Sequence, residues 1–139
     1  MDVLLVEDSL GDVRLAQEAF SASGKPIRLH VVGDGVEAMA FLKQEDAHKN
    51  APRPNLILLD LNLPIMDGRE VLARIKKDAS LSAIPTIVLT ASDAKEDVLY
   101  CYRNHANCFV RKPEQWDTFE SVVRHMNTFW LFMAELPPS

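Results

Sequence analysis

Five short apolar runs alternate along the chain with amphipathic helical patterns, and this alternation restricts the fold more than any other feature. The runs cover Val3–Val6, Ile27–Val32, Leu56–Leu59, Ile84–Leu89 and Cys108–Val110. Short strands that alternate with helices form a parallel sheet with helices on both faces. Asp67 with Glu70, and Asp93 with Glu96, have the capping-box spacing that marks a helix start. The sequence therefore predicts an α/β fold, whose ligands bind at the carboxyl ends of the strands.

Length and composition are those of a globular protein. The 139 residues suffice for one domain with a sizeable core, and we expect residues 1–139 to form a single domain. The net charge of −5 argues against a nucleic-acid-binding surface. No apolar stretch reaches the length of a membrane span, and Met1 leads directly into the first strand, so neither a membrane segment nor a signal peptide is expected. Cys101 and Cys108 indicate no disulfide framework and favour a reducing cytosol.

Acidic side chains follow two of the predicted strands. Glu7 and Asp8 come after the first strand, and Asp60 follows the third. Carboxylates gathered at one sheet edge repel one another unless a cation neutralises them, and Mg²⁺ prefers such oxygen ligands. We predict Asp8 and Asp60 as direct ligands of Mg²⁺, Glu7 as a ligand through water, and a backbone carbonyl near Asn62 as a further ligand. Taken singly, each carboxylate is equally compatible with capping a helix or a loop.

Further polar side chains are expected at the same edge. Thr90 ends the fourth strand, where its hydroxyl can hydrogen-bond an oxyanion, and Lys112 ends the fifth, where its charge faces Asp60. Pro113 would fix the loop that aims the lysine, through a cis or a trans bond, and Gly68 closes the loop after Asp60. A threonine or a lysine at a strand end is usually structural or solvated when it stands alone. Their combination with the carboxylates is what indicates a site.

The whole pattern resembles the receiver domain of two-component response regulators. The segments VEDS, LLDLNLPIMDG, VLTAS and VRKP occur in that order at the expected strand ends. The resemblance implies a flavodoxin-like (βα)5 fold with strand order 2-1-3-4-5. It also assigns the site residues: Asp60 as phosphoacceptor, Glu7 and Asp8 as the acidic pair, Thr90 as switch hydroxyl, Lys112 as phosphate contact and Phe109 as switch aromatic.

The same resemblance implies a switch in place of a turnover enzyme. A sensor histidine kinase would phosphorylate Asp60, and the surface of helix four, strand five and helix five would respond. The sequence is most similar to those of cyanobacterial and bacterial phytochrome-associated single-domain regulators. This similarity suggests a phytochrome kinase as partner. Three alternatives fit the sequence less well. A haloacid-dehalogenase-type phosphatase would need a second acid where Asn62 stands, a flavodoxin would not place Glu7 and Asp8 against phosphate, and a pseudo-receiver would lack part of the set.

The last predicted helix, residues 114 to 135, carries an unusual amount of apolar surface. Its expected buried face consists of Trp116, Phe119, Val122, Val123, Met126, Phe129, Trp130 and Met133. Leu131 and Phe132 fall outside that face, so the last turns are apolar nearly all round. Tyr100, Tyr102 and Phe109 could extend the patch. We expect a homodimer through this region, and the alternative is a tail that folds back over its own domain.

Overall fold

The computed structural model contains one parallel five-stranded sheet. The structure describes residues 1–138, apart from the side chain of Trp116. The strands are β1 (Asp2–Val6), β2 (Arg28–Val32), β3 (Leu56–Leu59), β4 (Thr86–Thr90) and β5 (Cys108–Arg111). They lie in the order β2-β1-β3-β4-β5 and every neighbouring pair is parallel. The flavodoxin-like fold class predicted from the sequence is confirmed.

Helices cover both faces of this sheet. They are α1 (Leu10–Ser21), α2 (Gly35–Lys43), α3 (Gly68–Lys77), α4 (Lys95–Arg103) and α5 (Trp116–Asn127), and a short 3-10 turn spans Asp46–His48. One core forms where α2, α3 and α4 pack on the sheet, and a second forms under α1 and α5. The central strands β1, β3 and β4 are buried along their whole length. Burial on both faces explains their nearly continuous apolar sequences.

Two local predictions need correction. The fourth strand begins at Thr86 and not at Ile84, because Pro85 has no N–H to donate to the ladder, although its carbonyl accepts from Ile57 at 2.9 Å. Helix α4 is capped at Ala94 without a side-chain hydrogen bond, so the capping box at Asp93 and Glu96 was wrong. The Asp93 carboxylate lies instead 3.4 Å from Arg111. At α3 the cap is confirmed: Asp67 accepts the N–H of Arg69 at 2.7 Å.

The carboxyl-terminal helix changes its winding. Helix α5 ends at Asn127 and continues as a π-helical segment over Thr128–Met133, in which Ala134 N–H donates to Phe129 O at 2.6 Å. A π-helical turn holds more residues than an α-helical one, so the predicted 3.6-residue spacing loses the buried face here. Leu131 is buried, whereas Phe129 and Met133, predicted to be buried, are exposed. The predicted contribution of the Trp116 side chain lies outside the described residues.

Neither cysteine forms a disulfide. Cys101 is buried in α4 and Cys108 is half-buried in β5. Burial raises the pKa of the Cys101 thiol to about 11, so this thiol stays protonated and unreactive near neutral pH. Within residues 1–138, no helix combines the length and the apolar character that crossing a membrane requires.

Candidate functional site

Asp60 lies directly after β3, at the carboxyl edge of the sheet. The strand ladder reaches it, because its N–H donates to Val6 O at 3.0 Å. The residue is only 7% exposed. One of its carboxylate oxygens accepts the N–H of Asn62 at 3.3 Å. Pairing on the amino-terminal side and a turn on the carboxyl-terminal side therefore hold this carboxylate at a fixed point of the edge.

Glu7 and Asp8 meet Asp60 at this point. One carboxylate oxygen from each of the three residues lies within 4.8 Å of the others. Glu7 is buried and Asp8 is exposed, so the cluster opens to solvent on the Asp8 side. Ser9, and not either acid, caps α1 by accepting the N–H of Asp12 at 3.3 Å. Converging carboxylates that do not cap a helix are a donor set that fits a hard divalent cation.

Lys112 enters the cluster from the end of β5. Its ammonium donates to Glu7 Oε1, to Asp12 Oδ2 at 2.9 Å and to Asp60 Oδ2 at 3.2 Å. Burial on its own lowers the pKa of Lys112, but the hydrogen bonds to Glu7 and Asp12 and the charge of Asp60 raise it above its ordinary value. The lysine is therefore a permanent cation at neutral pH.

The single positive charge of Lys112 does not neutralise all the carboxylates of this site. Burial raises the pKa of Glu7 to about 7; the hydrogen bond from Lys112 opposes that rise, and the nearby charge of Asp60 adds to it. Glu7, Asp8, Asp12 and Asp60 are four carboxyl groups near one lysine. The site consequently favours any change that adds positive charge, either a proton on Glu7 or a bound cation.

Asp12 is the site residue that the sequence reasoning missed. It lies in the first turn of α1, four residues after Asp8, and shares Lys112 with Glu7 and Asp60. An acid in a first helical turn is usually explained by the helix dipole, so its type and position gave no separate signal.

The loop after Asp60 is held very close to it by Gly68. A Cβ on Gly68 would lie 2.1 Å from Asp60 O and 2.6 Å from Leu61 Cα. The Gly68 N–H also donates to Leu61 O at 2.8 Å. Only glycine permits this approach, which supports the loop-shaping role predicted for it. At the other loop-shaping residue, Pro113, the preceding peptide bond is trans.

Thr90 lies on the strand next to Asp60 and is fully buried. Its carbonyl accepts the N–H of Lys112 at 2.7 Å, and its hydroxyl accepts the N–H of Ser92 at 3.4 Å. Phe109 is further from the carboxylates: it is half-buried against the core under α2, α3 and α4, and its N–H donates to the Tyr102 hydroxyl at 3.2 Å. The structure thus brings the carboxylates of Glu7, Asp8 and Asp60 together. Lys112 contacts Glu7 and Asp60, and its backbone is bonded to that of Thr90.

A comparison with protein families identifies this arrangement. The model of the response regulator receiver domain matches residues 3–124. The chain belongs to the response regulator receiver family. Its domain is therefore a receiver of two-component signal transduction.

Individual relatives resemble this receiver over nearly its whole length. Response regulator Rcp1 of Synechocystis is 47% identical over 135 residues, which are 97% of this chain and 92% of Rcp1. The crystal structure of the Mn²⁺-bound form of Rcp1 matches with a TM-score of 0.97 and covers 99% of both chains. The phosphorylated cyanobacterial phytochrome response regulator RcpA, also 47% identical, matches with a TM-score of 0.96 and covers 99% of this chain and 98% of RcpA. The receiver is thus similar to regulators of phytochrome signalling, and the resemblance found in its sequence is confirmed.

Proposed function

We propose that this receiver accepts a phosphoryl group on Asp60 from a phosphohistidine of a sensor kinase. The observation that carries the proposal is the position of Asp60: a carboxylate at a strand end, 3.2 Å from the ammonium of Lys112 and within 4.8 Å of two further carboxylates. A carboxylate oxygen attacks phosphorus, the bond between phosphorus and the histidine nitrogen breaks, and an acyl phosphate forms while the imidazole leaves. Catalysis of such transfers consists mainly of positioning and charge stabilisation.

The cation at this site is proposed to be Mg²⁺. Asp8 and Asp60 would bind it directly, Glu7 through water, and the backbone carbonyl of Asn62 would complete the share of the protein. The carboxylate oxygens within 4.8 Å of one another support this assignment, since Mg²⁺ takes oxygen ligands and keeps several waters. Once bound, the ion supplies positive charge against which the transferring phosphoryl oxygens are stabilised.

The proposed role of Lys112 is to hold the phosphoryl group after transfer. Its ammonium already lies between Glu7, Asp12 and Asp60, and a phosphoryl group on Asp60 adds about two negative charges and three acceptor oxygens nearby. Thr90 would donate its hydroxyl to one of these oxygens from the neighbouring strand. Phe109 would then fill the space that Thr90 vacates, which changes the surface of α4, β5 and α5.

The proposed kinase is a phytochrome-type photoreceptor. This follows from the similarity to RcpA, which is a phytochrome response regulator, and to bacteriophytochrome response regulators that are 34% identical. We expect the receiver to act in the cytosol, where its free thiols stay reduced. It would work as a switch that is phosphorylated and dephosphorylated, and not as a turnover enzyme. Its target would be a protein and not DNA.

A homodimer is proposed at the carboxyl-terminal face. Phe129, Phe132 and Met133 have exposures of 51%, 52% and 71%. Val110, Val122, Met126 and Phe129 also line an adjoining groove of about 650 Å³ between β5 and α5. Exposed apolar surface of this kind usually marks a partner surface. The tail prolines Pro137 and Pro138 lie near Arg53–Asn55 and Ala83–Pro85, and Phe129, Phe132 and Met133 remain exposed with the tail in this place.

The phosphatase alternative and the pseudo-receiver alternative are both less well supported. A haloacid-dehalogenase-type phosphatase needs an acid two residues after its nucleophile, where this chain has the exposed Asn62. A pseudo-receiver would lack part of the reactive set, whereas Lys112 here contacts both Glu7 and Asp60.

Transfer of a radioactive phosphoryl group tests the proposal. A phytochrome-type histidine kinase, first autophosphorylated and then freed of ATP, is mixed with wild-type protein or with the Asp60→Asn variant. Label should leave the kinase and appear on the wild type only, in an alkali-labile form typical of an acyl phosphate. Equal labelling of the variant would refute Asp60 as the acceptor. Labelling by an unrelated kinase alone would refute the phytochrome assignment and leave the phosphoacceptor intact.

A further inference from the structure

A polar chain outside the phosphoacceptor site connects Asp60 to the loop that follows Thr90. Its centre is the side chain of Arg69, which donates to Asp97 from Nε at 2.8 Å and from Nη2 at 2.7 Å. The Nη1 group donates to Asp67 Oδ2 at 3.1 Å. The guanidinium therefore joins the start of α3 to the first turn of α4 through a two-pronged ion pair, the strongest type of side-chain hydrogen bonding.

At one end this chain reaches the backbone of the phosphoacceptor. Arg69 directly follows Gly68, and a Cβ on Gly68 would lie 2.1 Å from Asp60 O. No side chain separates the first turn of α3 from Asp60 at this contact. A displacement of Arg69 is therefore opposed by the packing of its own backbone against the phosphoacceptor loop.

At the other end the chain reaches Thr90. The carboxylate of Asp97 accepts the hydroxyl of Ser92, and the Ser92 N–H donates to Thr90 Oγ1 at 3.4 Å. The hydrogen bonds from Arg69 and Ser92 lower the pKa of Asp97, so it is ionised at neutral pH and can accept from both. The side chains of Asp97 and Arg69 are 16% and 29% exposed, which shields their ion pair from much of the solvent.

A further bond ties the same helices together. The Tyr100 hydroxyl donates to Arg69 O at 3.2 Å, one helical turn beyond the ion pair. By contrast, Arg74, also on α3, pairs with Glu70 of its own helix, and both side chains are about half exposed. The two arginines of α3 thus differ in their contacts. Arg69 binds α4, whereas the ion pair of Arg74 lies within α3.

We infer that Asp97, held by Arg69, is a positioning residue that keeps Ser92 and the loop after Thr90 in the place they occupy without a phosphoryl group. The inference rests on the proposed function, in which Thr90 moves toward a phosphoryl group on Asp60. Such a movement pulls Ser92 along the backbone and strains its hydroxyl bond to Asp97. The ion pair therefore opposes the switched state, and a ligand that favours this state binds more tightly when the bond is removed.

Beryllofluoride, which mimics a phosphoryl group on a carboxylate, tests this without a kinase. Its affinity is measured by calorimetry with Mg²⁺ present, for the wild type and for Ser92→Ala, Asp97→Asn, Ser92→Thr and Arg74→Gln. Ser92→Ala and Asp97→Asn should each bind about 5-fold more tightly, which corresponds to a modest shift of a two-state equilibrium. Ser92→Thr keeps the hydroxyl, and Arg74→Gln removes an exposed ion pair of the same helix, so both should stay within about 2-fold of the wild type.

Each outcome decides the question. Unchanged or weaker binding by Ser92→Ala and Asp97→Asn would overturn the inference, as would equal behaviour of Ser92→Ala and Ser92→Thr. If Asp97→Asn unfolds, the milder Ser92 pair gives the answer alone, because Ser92 is half-buried and contributes one hydroxyl. A wild type that does not bind beryllofluoride at all would refute the proposed phosphoacceptor site and this inference with it.

Discussion

The ammonium of Lys112 lies 3.2 Å from Asp60 Oδ2 although 52 positions separate the two residues in the chain. The parallel sheet produces this contact, because β3 and β5 flank β4 and all three strands end at the same edge. The same ammonium also contacts the carboxylates of Glu7 and Asp12. The stability of the fold and the chemistry of the site therefore depend on the same cation.

Replacement of this lysine should destabilise the protein when no divalent ion is present. Lys112→Gln leaves buried carboxylates without their partner, a change that costs about 3–5 kcal/mol of unfolding free energy. Urea unfolding in EDTA measures the loss, and added Mg²⁺ should restore part of it by supplying the missing charge. The exposed Lys49 gives the control, since Lys49→Gln should have almost no effect. Equal stability of the two variants in EDTA would contradict the role given to Lys112.

The raised pKa of Glu7 predicts a pH dependence with a definite sign. Because the folded pKa of about 7 exceeds the ordinary value of 4.5, the folded state holds this proton more tightly than the unfolded state. The stability from this group is complete below the ordinary pKa and is lost as the pH rises through about 7. Cation binding has the opposite dependence, since Mg²⁺ requires the ionised carboxylate.

Calorimetric titration with Mg²⁺ between about pH 5.5 and pH 8 checks this point. The affinity of the wild type should rise with pH and level off above the pKa of Glu7. Glu7→Gln should bind more weakly and lose most of this rise. An affinity that is flat across the range in the wild type would show that Glu7 does not titrate there.

A side chain at position 68 should destabilise the protein. In Gly68→Ala the new methyl group would meet Asp60 O and Leu61 Cα at 2.1 and 2.6 Å, so the loop after Asp60 must shift. We expect a loss of roughly 1–3 kcal/mol in unfolding free energy together with weaker Mg²⁺ binding. Gly33→Ala is the matched control, because a Cβ there has no neighbour within 4 Å. Thermal unfolding of both variants decides, and equal midpoints would contradict the packing argument.

Self-association should depend on the aromatic carboxyl-terminal face. Phe132 is 52% exposed in a single copy of the chain, so Phe132→Glu should not disturb the fold but should weaken a dimer that buries this residue. Light scattering over a micromolar concentration range, with and without phosphorylation, measures the effect. Val36→Glu introduces the same charge at a residue of α2 that is 46% exposed and should leave association unchanged. A wild type that stays monomeric throughout would remove the dimer.

The strands and the residues at their ends could be predicted because both follow from short-range patterns, whereas the strand order was implied by the resemblance to receiver domains. Each apolar run identifies a strand, and polar residues at its carboxyl end lie at the sheet edge. Asp60, Glu7 and Lys112 were found in this way, and the structure brings them together. Gly68 was found from its place in the loop, but the sequence could not show that a Cβ there would collide with the backbone of Asp60.

The remaining features depend on contacts between elements that are distant in sequence. The sequence around Asp12 does not indicate its contact with Lys112, and the sequence around Arg69 does not indicate its contact with Asp97. In both pairs the partner lies on another element. The capping box predicted at Asp93 failed because α4 begins at Lys95 with Ala94 as its N-cap, which leaves Asp93 one residue outside the capping position. The buried face of the last helix was misplaced at Phe129 because the helix widens into a π-helical turn, which a fixed period of 3.6 residues cannot anticipate.

Intact-protein mass spectrometry after incubation with acetyl phosphate tests the role of Asp60 most directly. With Mg²⁺ present, the wild type should gain the mass of one phosphoryl group, because the carboxylates around Asp60 need a cation before another anion can approach. The same incubation in EDTA should give no product, and Asp60→Asn should stay unmodified in both. A phosphoryl group on Asp60→Asn at the wild-type level, or equal labelling of the wild type in EDTA, would contradict the account.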